Sequence, residues 1–242
     1  MIVAGVDGCP AGWLVVLRTA ANPASAEVRL LRTFTDVLAL DPTPAMIAVD
    51  IPIGLPDCIG AGGREADVAA RTVLGRRQSA VFAVPSRAAV MEPDYRTACA
   101  IAAATSDPPR KISKQAFNLF PKIREVDALM SPDVQQRVRE VHPEVAFAAL
   151  NGWQPLALPK KVKSQPFGPG LEFRRNLLAA VGYPREVLNP PAWLKRKDAG
   201  ADDLLDAAVN SWSAVRLLIN QARCFPDRPM IDSKGLRCEI WG

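Results

Sequence analysis

The run IVAGVD at Ile2–Asp7 is almost continuously apolar and ends in an acid, which predicts a buried central strand. Turn residues follow at Gly8–Gly12, and the apolar segment Trp13–Arg18 comes next, so the two segments are predicted to pair as a hairpin. A second apolar run, Ala45–Val49, also ends in an acid, Asp50. Two further strands are predicted, at Glu27–Phe34 and Val138–His142.

Helical patterns and capping residues separate most of these strands. The predicted helices are Asp36–Leu40 with Thr35 as its cap, Arg64–Gly75, a helix from Pro93 through Ala104, a helix capped by Ser113 and broken or kinked at Pro121, Pro143–Leu150, Gly170–Gly182, and Asp202–Gln221 with Asp202 as its N-cap. Four prolines make residues 153–170 a predicted irregular loop. Three strands in a meander, followed by strands alternating with helices, predict an α/β protein with a mixed five-stranded sheet flanked by helices.

The composition limits the class of protein and of site. With 242 residues, 49% hydrophobic and 23% charged, the chain has a globular composition and contains no run of 18 apolar residues, so we expect no membrane span. The N-terminus lacks a secretory pattern and the five cysteines are scattered, which predicts reduced thiols and a cytoplasmic location. A single histidine, His142, excludes sites built on two or three histidines. Any metal is therefore expected to be Mg²⁺ or Mn²⁺ on carboxylates.

Basic residues are concentrated in two segments. Arg71–Arg124 contains 10 basic and 3 acidic residues, and Lys160–Lys197 contains 9 and 2, although the net charge of the chain is only +5. Clusters such as Lys195-Arg196-Lys197 favour a positive rim around an acidic site, suited to a phosphate-rich substrate. Ordinary solvated surface is the alternative.

Acidic residues stand at the ends of predicted elements. Asp7 and Asp50 end strands, and Glu144 follows the last predicted strand. Asp203 and Asp206 are three residues apart near the start of the last helix, hence on one helix face. Each acid alone is compatible with a turn or a helix terminus. Together they predict a ligand site, because such sites lie beyond the carboxyl ends of strands.

These motifs resemble an uncharacterised family described as predicted RNase H-like nucleases (domain-of-unknown-function family 429). The resemblance spans residues 3 to 208, and the stretches Asp50–Pro56 and His142–Glu144 are its most specific parts. The other matching motifs are Gly5–Gly8 with Gly12 and Trp13, Ala48 and Val49, Arg64 with Asp67 and Arg71, Ser79–Phe82 with Pro85, Glu140 and Val141, and Asp202–Ala207. The resemblance implies an RNase H-like domain over residues 1–242, with a helical insertion at about 55–135 between strands four and five. The turn residues Ser233–Gly235 independently predict a short C-terminal hairpin at about 223–242.

The resemblance also implies roles for the acids. Asp7 would bridge two metal ions, Asp50 would bind one of them, and Asp203 or Asp206 would add a ligand from the last helix. Glu144 would be a ligand or would position the attacking water. The expected catalytic set is Asp7, Asp50, Glu144, Asp203 and Asp206, and the expected metal ligands are Asp7, Asp50, Asp203 and Asp206. The implied activity is Mg²⁺- or Mn²⁺-dependent phosphodiester hydrolysis of nucleic acid.

Candidate substrate-binding residues are Lys161, together with its neighbours Lys160 and Lys163, and Arg64, Arg71 and His142. Each has a structural alternative: a solvated lysine for Lys161, a helical ion pair through Asp67 for the two arginines, and a helix cap for His142. Trp13 is expected in the core. Aromatic residues make up only 6% of the chain and form no ladder with basic residues, so the sequence does not favour a platform that stacks single-stranded bases.

Three other functions remain open from the sequence. A nucleotide-phosphate hydrolase also fits a metal–carboxylate site. An ATP-binding protein on the same fold is disfavoured, because such enzymes pair two copies of the domain and no phosphate-binding glycine motif is present. A non-catalytic binding module would fit degenerate acids, but all five acids are present.

Overall fold

Five strands form one mixed sheet in the computed structural model, which describes residues 1–242. The strands of this sheet are β1 (Ile2–Cys9), β2 (Gly12–Thr19), β3 (Asn22–Leu31), β4 (Met46–Asp50) and β5 (Val138–Glu140), in the order β3-β2-β1-β4-β5. β2 is antiparallel to both of its neighbours, whereas β4 is parallel to β1 and β5 is parallel to β4. The predicted α/β class and the mixed five-stranded sheet flanked by helices are confirmed.

Ten α-helices and two small two-stranded sheets complete the chain. The helices are α1 (Phe34–Leu38), α2 (Glu65–Arg71), α3 (Arg87–Met91), α4 (Tyr95–Ala104), α5 (Lys114–Phe117), α6 (Phe120–Leu129), α7 (Pro132–Arg137), α8 (Pro143–Leu150), α9 (Gly168–Ala180) and α10 (Ala201–Leu218). A 3₁₀ helix covers Gly75–Ala80, and the small sheets are β6 (Lys161–Val162) with β7 (Gln165–Pro166) and β8 (Cys224–Ile231) with β9 (Arg237–Trp241). No helix has the length and apolar character needed to cross a bilayer.

The chain divides into two compact units. The first contains Met1–Asp50, Arg137–Arg223 and Trp241–Gly242, and the second contains Ile51–Gln136 and Cys224–Ile240. The five-stranded sheet therefore belongs to the first unit, and its core joins side chains of β1, β2 and β4 to those of α8, α9 and α10. Trp13 lies outside this cluster but is also fully buried, and it meets Phe34 edge to face, as predicted for a core residue.

Helix α10 lies unusually close to the centre of the sheet because β1 presents a glycine to it. A Cβ on Gly5 would lie 2.1 Å from the carbonyl oxygen of Ala207 and 2.0 Å from the backbone nitrogen of Ser211. Asn210 donates from Nδ2 to the carbonyl of Val6 at 3.0 Å, which fixes the register of the helix on the strand. A helix backbone can approach a strand this closely only where the strand has no side chain.

The second unit contains a buried network of charges. The Arg87 guanidinium donates to the carboxylates of Asp127 and Asp232, at 2.7 and 2.6 Å. Asp232 also accepts from the backbone N–H of Leu55 at 2.9 Å. These bonds connect α3 to α6, to the segment between β8 and β9, and to the segment that follows β4, so distant parts of the chain are held together within this unit.

Four local predictions were wrong in detail. Thr33, not Thr35, caps α1 and forms a capping box with Asp36. Pro121 lies in the first turn of α6, where its missing N–H costs nothing. Gly200, not Asp202, is the N-cap of α10. The predicted irregular loop 153–170 contains β6, β7 and the start of α9.

Candidate carboxylate site

Asp7 and Asp50 are brought together by strand pairing. They are direct partners in the parallel register of β1 and β4, and strands in a sheet lie about 4.8 Å apart. Side chains alternate along a strand, so Asp7 lies on the same face as Gly5, the face covered by α10. Asp7 is buried and Asp50 is partly buried. The two carboxylates therefore lie side by side at the carboxyl edge of the sheet.

Helix α10 adds Asp206 to this pair. Asp206 precedes Asn210 by one turn, and only 1% of its surface is exposed. Its Oδ2 forms an ion pair with the Lys160 ammonium, whereas its Oδ1 is buried and has no hydrogen-bond partner. A buried carboxylate oxygen without a partner is costly, and such an atom is a candidate ligand for a cation.

The neighbouring acids of α10 have separate roles. The Asp203 Oδ2 accepts from the backbone N–H of Gly200 at 2.8 Å and so caps the helix. Asp202, the predicted cap, is buried and forms an ion pair with Lys161 at 2.6 Å. Asp206 is thus the α10 acid whose side chain is directed to Lys160 rather than to its own helix terminus.

Glu144 lies at the first turn of α8 and is held by a buried arginine. The Arg174 guanidinium forms an ion pair with Glu144 and also donates to the carbonyls of Leu158 and Gly170, both at 3.0 Å. The Nδ1 of His142 accepts from the backbone N–H of Glu144 at 3.2 Å, so His142 is the N-cap of α8. The structural alternative for His142, a helix cap, is therefore present in the fold.

We refer to Asp7, Asp50, Glu144, Asp203 and Asp206 together as the carboxylate site, because they influence one another electrostatically. Burial, and then repulsion from Asp50, Asp206 and Asp203, raises the pKa of Asp7 well above its ordinary value. Burial raises the pKa of Asp50 to about 6 and that of Asp206 to about 6, although Lys160 opposes both shifts. Burial also raises the pKa of Asp203.

One internal cation, Lys160, acts on most of these acids. Burial alone would lower its pKa, but the nearby charges of Asp206 and Asp7 raise the pKa above its ordinary value. Lys160 therefore remains protonated, yet the carboxylates around it still have raised pKa values. Burial is therefore the main reason that the pKa values of these carboxyls are raised, and the one ammonium does not offset it.

The carboxylate site fits a hard divalent cation in its chemistry. Its donors are carboxylate oxygens, and one of them, the Asp206 Oδ1, is buried without a partner. However, no group of three or more His, Cys, Asp or Glu side chains is arranged to hold a metal ion. Three of the acids instead have partners within the protein: Asp206 binds Lys160, Asp203 binds the backbone of Gly200, and Glu144 binds Arg174. A metal would have to compete with Lys160 for Asp206.

The predicted substrate-binding arginines lie in the second unit and have structural roles. Arg64 is 2% exposed, and its Nε and Nη2 contact Asp67 at 3.0 and 2.7 Å, while its Nη1 donates to the carbonyl of Ile53 at 3.0 Å. Arg71 donates from Nε to the carbonyl of Val81 at 2.9 Å and from Nη1 to that of Gly62. The structural alternative for Arg64, a local ion pair with Asp67, is confirmed. Both guanidinium groups are thus bonded to partners within the second unit.

Arg174 is the residue of this site that the candidate set lacked. Arg174 had a signal in the sequence, because it lies on the same helix face as Leu171 and Leu178, which are buried. A charged residue in the middle of an apolar stripe indicates a buried partner. Lys160 was predicted as a phosphate contact, but no pattern in the sequence indicated its ion pair with Asp206, since Lys160 stands in a proline-rich segment without periodicity.

Comparison with known proteins identifies the family of the chain but no individual protein that matches it. Neither a curated protein nor a solved structure matches the chain. The family model described as "Protein of unknown function (DUF429)" matches residues 5–231, which is most of the chain. The chain belongs to this family of proteins of unknown function, DUF429.

Proposed function

We propose that the chain is a phosphodiesterase with an RNase H-like fold that hydrolyses nucleic acid and depends on Mg²⁺ or Mn²⁺ bound at the carboxylate site. The observation that carries the proposal is the convergence of Asp7, Asp50 and Asp206 on one edge of the sheet, with a buried unpaired oxygen on Asp206. Carboxylates that repel one another in this way are stabilised by a divalent cation.

The topology supports the RNase H-like part of the proposal. Only β2 runs against the other four strands, and α10 packs on β1 and β4 at the centre of the sheet. Residues 51–136, which fall in the second unit, lie between β4 and β5 in the sequence. This position corresponds to the helical insertion expected at about 55–135.

Asp7, Asp50 and Asp206 are the residues that would hold the cation, because Asp7 and Asp50 are partners in the strand register and the charge of Asp206 acts on Asp7. Asp203 supports them by capping α10, which keeps Asp206 in place. When bound, the divalent ion activates a water molecule and stabilises the leaving oxygen of a phosphodiester. Glu144, oriented by Arg174, is the carboxylate that we assign to positioning the water.

Lys160 neutralises Asp206 in the metal-free protein. A divalent cation at Asp206 would compete with Lys160 for the same carboxylate. Lys160, displaced from Asp206, would then lie beside the site, where its ammonium could hold a phosphate oxygen of the substrate. Lys161 is half exposed and forms an ion pair with Asp202, and its ammonium can contribute to the same contact.

One observation favours a second candidate, a non-catalytic binding module. Lys160, Lys161 and Arg174 already pair with acids of α8 and α10, and no group of carboxylates is arranged for a metal. In this alternative the charges stabilise the fold and the protein acts only by binding.

Calorimetric titration with Mg²⁺ and Mn²⁺ tests the proposal without knowledge of the substrate. The proteins are the wild type, the Asp7→Asn/Asp50→Asn variant, and a control with the same charge change at exposed positions, Asp57→Asn/Asp227→Asn. We expect saturable binding in the wild type and the control, and its loss in the folded site variant.

Hydrolysis of labelled DNA, RNA and nucleoside triphosphates, measured on the same three proteins, then separates nuclease from nucleotide hydrolase. Circular dichroism verifies that the site variant is folded. Equal heats in wild type and site variant at millimolar metal, with oligonucleotide present, would refute the metal site and support the non-catalytic module.

A further inference from the structure

The segment 189–200, which precedes α10, exposes an aromatic ring beside three cations; we name it the Trp193 loop. Leu194 and Ala199 are buried and anchor it to the core of the first unit. Trp193 faces the other way and is 52% exposed. Lys195, Arg196 and Lys197 are exposed as well.

Trp193 differs from the other four tryptophans of the chain. Each of the others contacts a ring or a guanidinium: Trp13 meets Phe34 at 5.0 Å, Trp212 lies under Arg216 at 4.7 Å, Trp241 under Arg139 at 5.7 Å and Trp153 under Arg223 at 5.8 Å. No such contact involves Trp193, and its indole is the most exposed aromatic side chain of the structure. An indole face with this exposure is available to a stacking partner.

The three cations of the loop are not neutralised within the chain. None of Lys195, Arg196 and Lys197 takes part in an ion pair, in contrast to Lys160 and Lys161, which are bound to acids of α10. Three successive basic side chains without acidic partners attract an anion with several charges.

Backbone contacts attach the Trp193 loop to the carboxylate site. The N–H of Ala11, in the turn that follows β1, donates to the carbonyl of Asp198 at 3.1 Å. At the other end of the loop, Gly200 caps α10 and donates to the carboxylate of Asp203. The loop is thus joined both to the turn after the strand that carries Asp7 and to the helix that carries Asp206.

We propose that the Trp193 loop binds single-stranded nucleic acid, with a base stacked on Trp193 and phosphates held by Lys195, Arg196 and Lys197. The inference rests on the proposed function, which names nucleic acid as the substrate, and it narrows that substrate to single strands. A base offers its face to a side chain only when it is unpaired or unstacked, whereas the phosphates of a duplex would engage the cations without using the indole. The exposed ring beside the cations therefore distinguishes a single strand from a duplex.

Fluorescence anisotropy with labelled DNA of about 12 nucleotides tests the inference, in EDTA so that no hydrolysis occurs. The same sequence is measured as a single strand and as a duplex. Trp193→Ala should weaken single-strand binding by about tenfold, within the roughly 5- to 150-fold range expected for loss of one stacked base, and should leave duplex binding unchanged. Trp193→Phe should retain most of the affinity, and Ile219→Ala, which truncates another exposed apolar side chain, should have no effect.

The cations are tested by salt dependence. Changing Lys195, Arg196 and Lys197 to Gln should reduce the slope of log affinity against log salt by about 2, since about 0.7 counterion is released per phosphate contact on a single strand. A control with the same charge change, Arg110→Gln/Lys111→Gln/Lys114→Gln, should leave the slope near the wild-type value. These three residues are exposed and belong to the second unit.

Any of three results would overturn the inference. Trp193→Ala could bind the single strand as tightly as wild type, or it could lose equal affinity for the single strand and the duplex. The salt slope of the loop variant could also fall no further than that of the control. The outcome is separable from that of the proposed function, because Asp7→Asn/Asp50→Asn should still bind the single strand. Metal-dependent hydrolysis without involvement of Trp193 would refute only the loop assignment, and binding without hydrolysis would refute only the phosphodiesterase.

Discussion

Replacing Asp50 by Asn should stabilise the metal-free protein at pH 8. Burial raises the pKa of this carboxyl from 3.8 to about 6, so the folded state binds its proton more tightly than the unfolded state does. Folding stability contributed by such a group falls as the pH rises from about 4 through about 6. A difference of about 2 pKa units corresponds to roughly 3 kcal/mol lost at pH 8. Because the amide must itself be partly buried, we expect a net gain of about 1–2 kcal/mol.

Urea denaturation in EDTA at pH 4.5 and pH 8 measures this effect. The free energy of unfolding of Asp50→Asn, taken relative to that of wild type, should be about 2 kcal/mol higher at pH 8 than at pH 4.5. The change is smaller than about 3 kcal/mol because wild type has already lost part of its stability to Asp50 ionisation at pH 4.5. Asp57→Asn, which changes an exposed aspartate, should show no such rise. A constant difference between wild type and Asp50→Asn at both pH values would refute the raised pKa of the Asp50 carboxyl. With Mg²⁺ at 100 times its Kd, wild type should gain about 2.7 kcal/mol, and the variant should not.

Two further changes test the internal cations. Lys160→Met removes the competitor for Asp206 and should tighten Mg²⁺ binding about tenfold, or about 1.4 kcal/mol, as measured by calorimetry; weaker binding would show that Lys160 supports the cation instead. Arg174→Met leaves Glu144 buried without its partner and should lower the free energy of unfolding by about 3–5 kcal/mol in urea. Adding Glu144→Gln should restore part of that loss, and no restoration would contradict the assigned pairing.

The central part of the fold is predictable because it depends on local patterns. Apolar runs that end in acids locate β1 and β4, and the proline after His142 marks the start of α8. The cap of α1 was assigned to the wrong threonine because two threonines stand two residues apart, and only the Asp36 side chain, three residues after Thr33, selects between them. Asp202 was expected to cap α10, but its carboxylate is drawn to Lys161 from a distant segment. Tertiary charge pairing therefore overrides a local capping preference.

The candidate site is predictable to a smaller extent. The acids at strand ends follow from the sequence, since parallel neighbours bring their carboxyl ends to one edge. The counter-ions of these acids cannot be predicted in the same way, because Lys160 is 46 residues from Asp206 in the sequence and Arg174 is 30 residues from Glu144. The exposure of Trp193 likewise cannot be predicted from the sequence, because only the structure shows that Leu194 is buried while the neighbouring indole is exposed.

Charge balance within the carboxylate site favours a cation over a purely structural role. At the exposed Glu172, the hydrogen bonds and charges of Arg185 and Arg175 lower the pKa of the carboxyl. Asp206 has a direct partner in Lys160, and its pKa is nevertheless raised, because burial and the charges of Asp50 and Glu144 outweigh the ammonium. A network selected only for stability would gain by replacing one of these acids with a neutral side chain. Burial disfavours the ionised forms of the acids at this edge, and a divalent ion bound there would offset that cost.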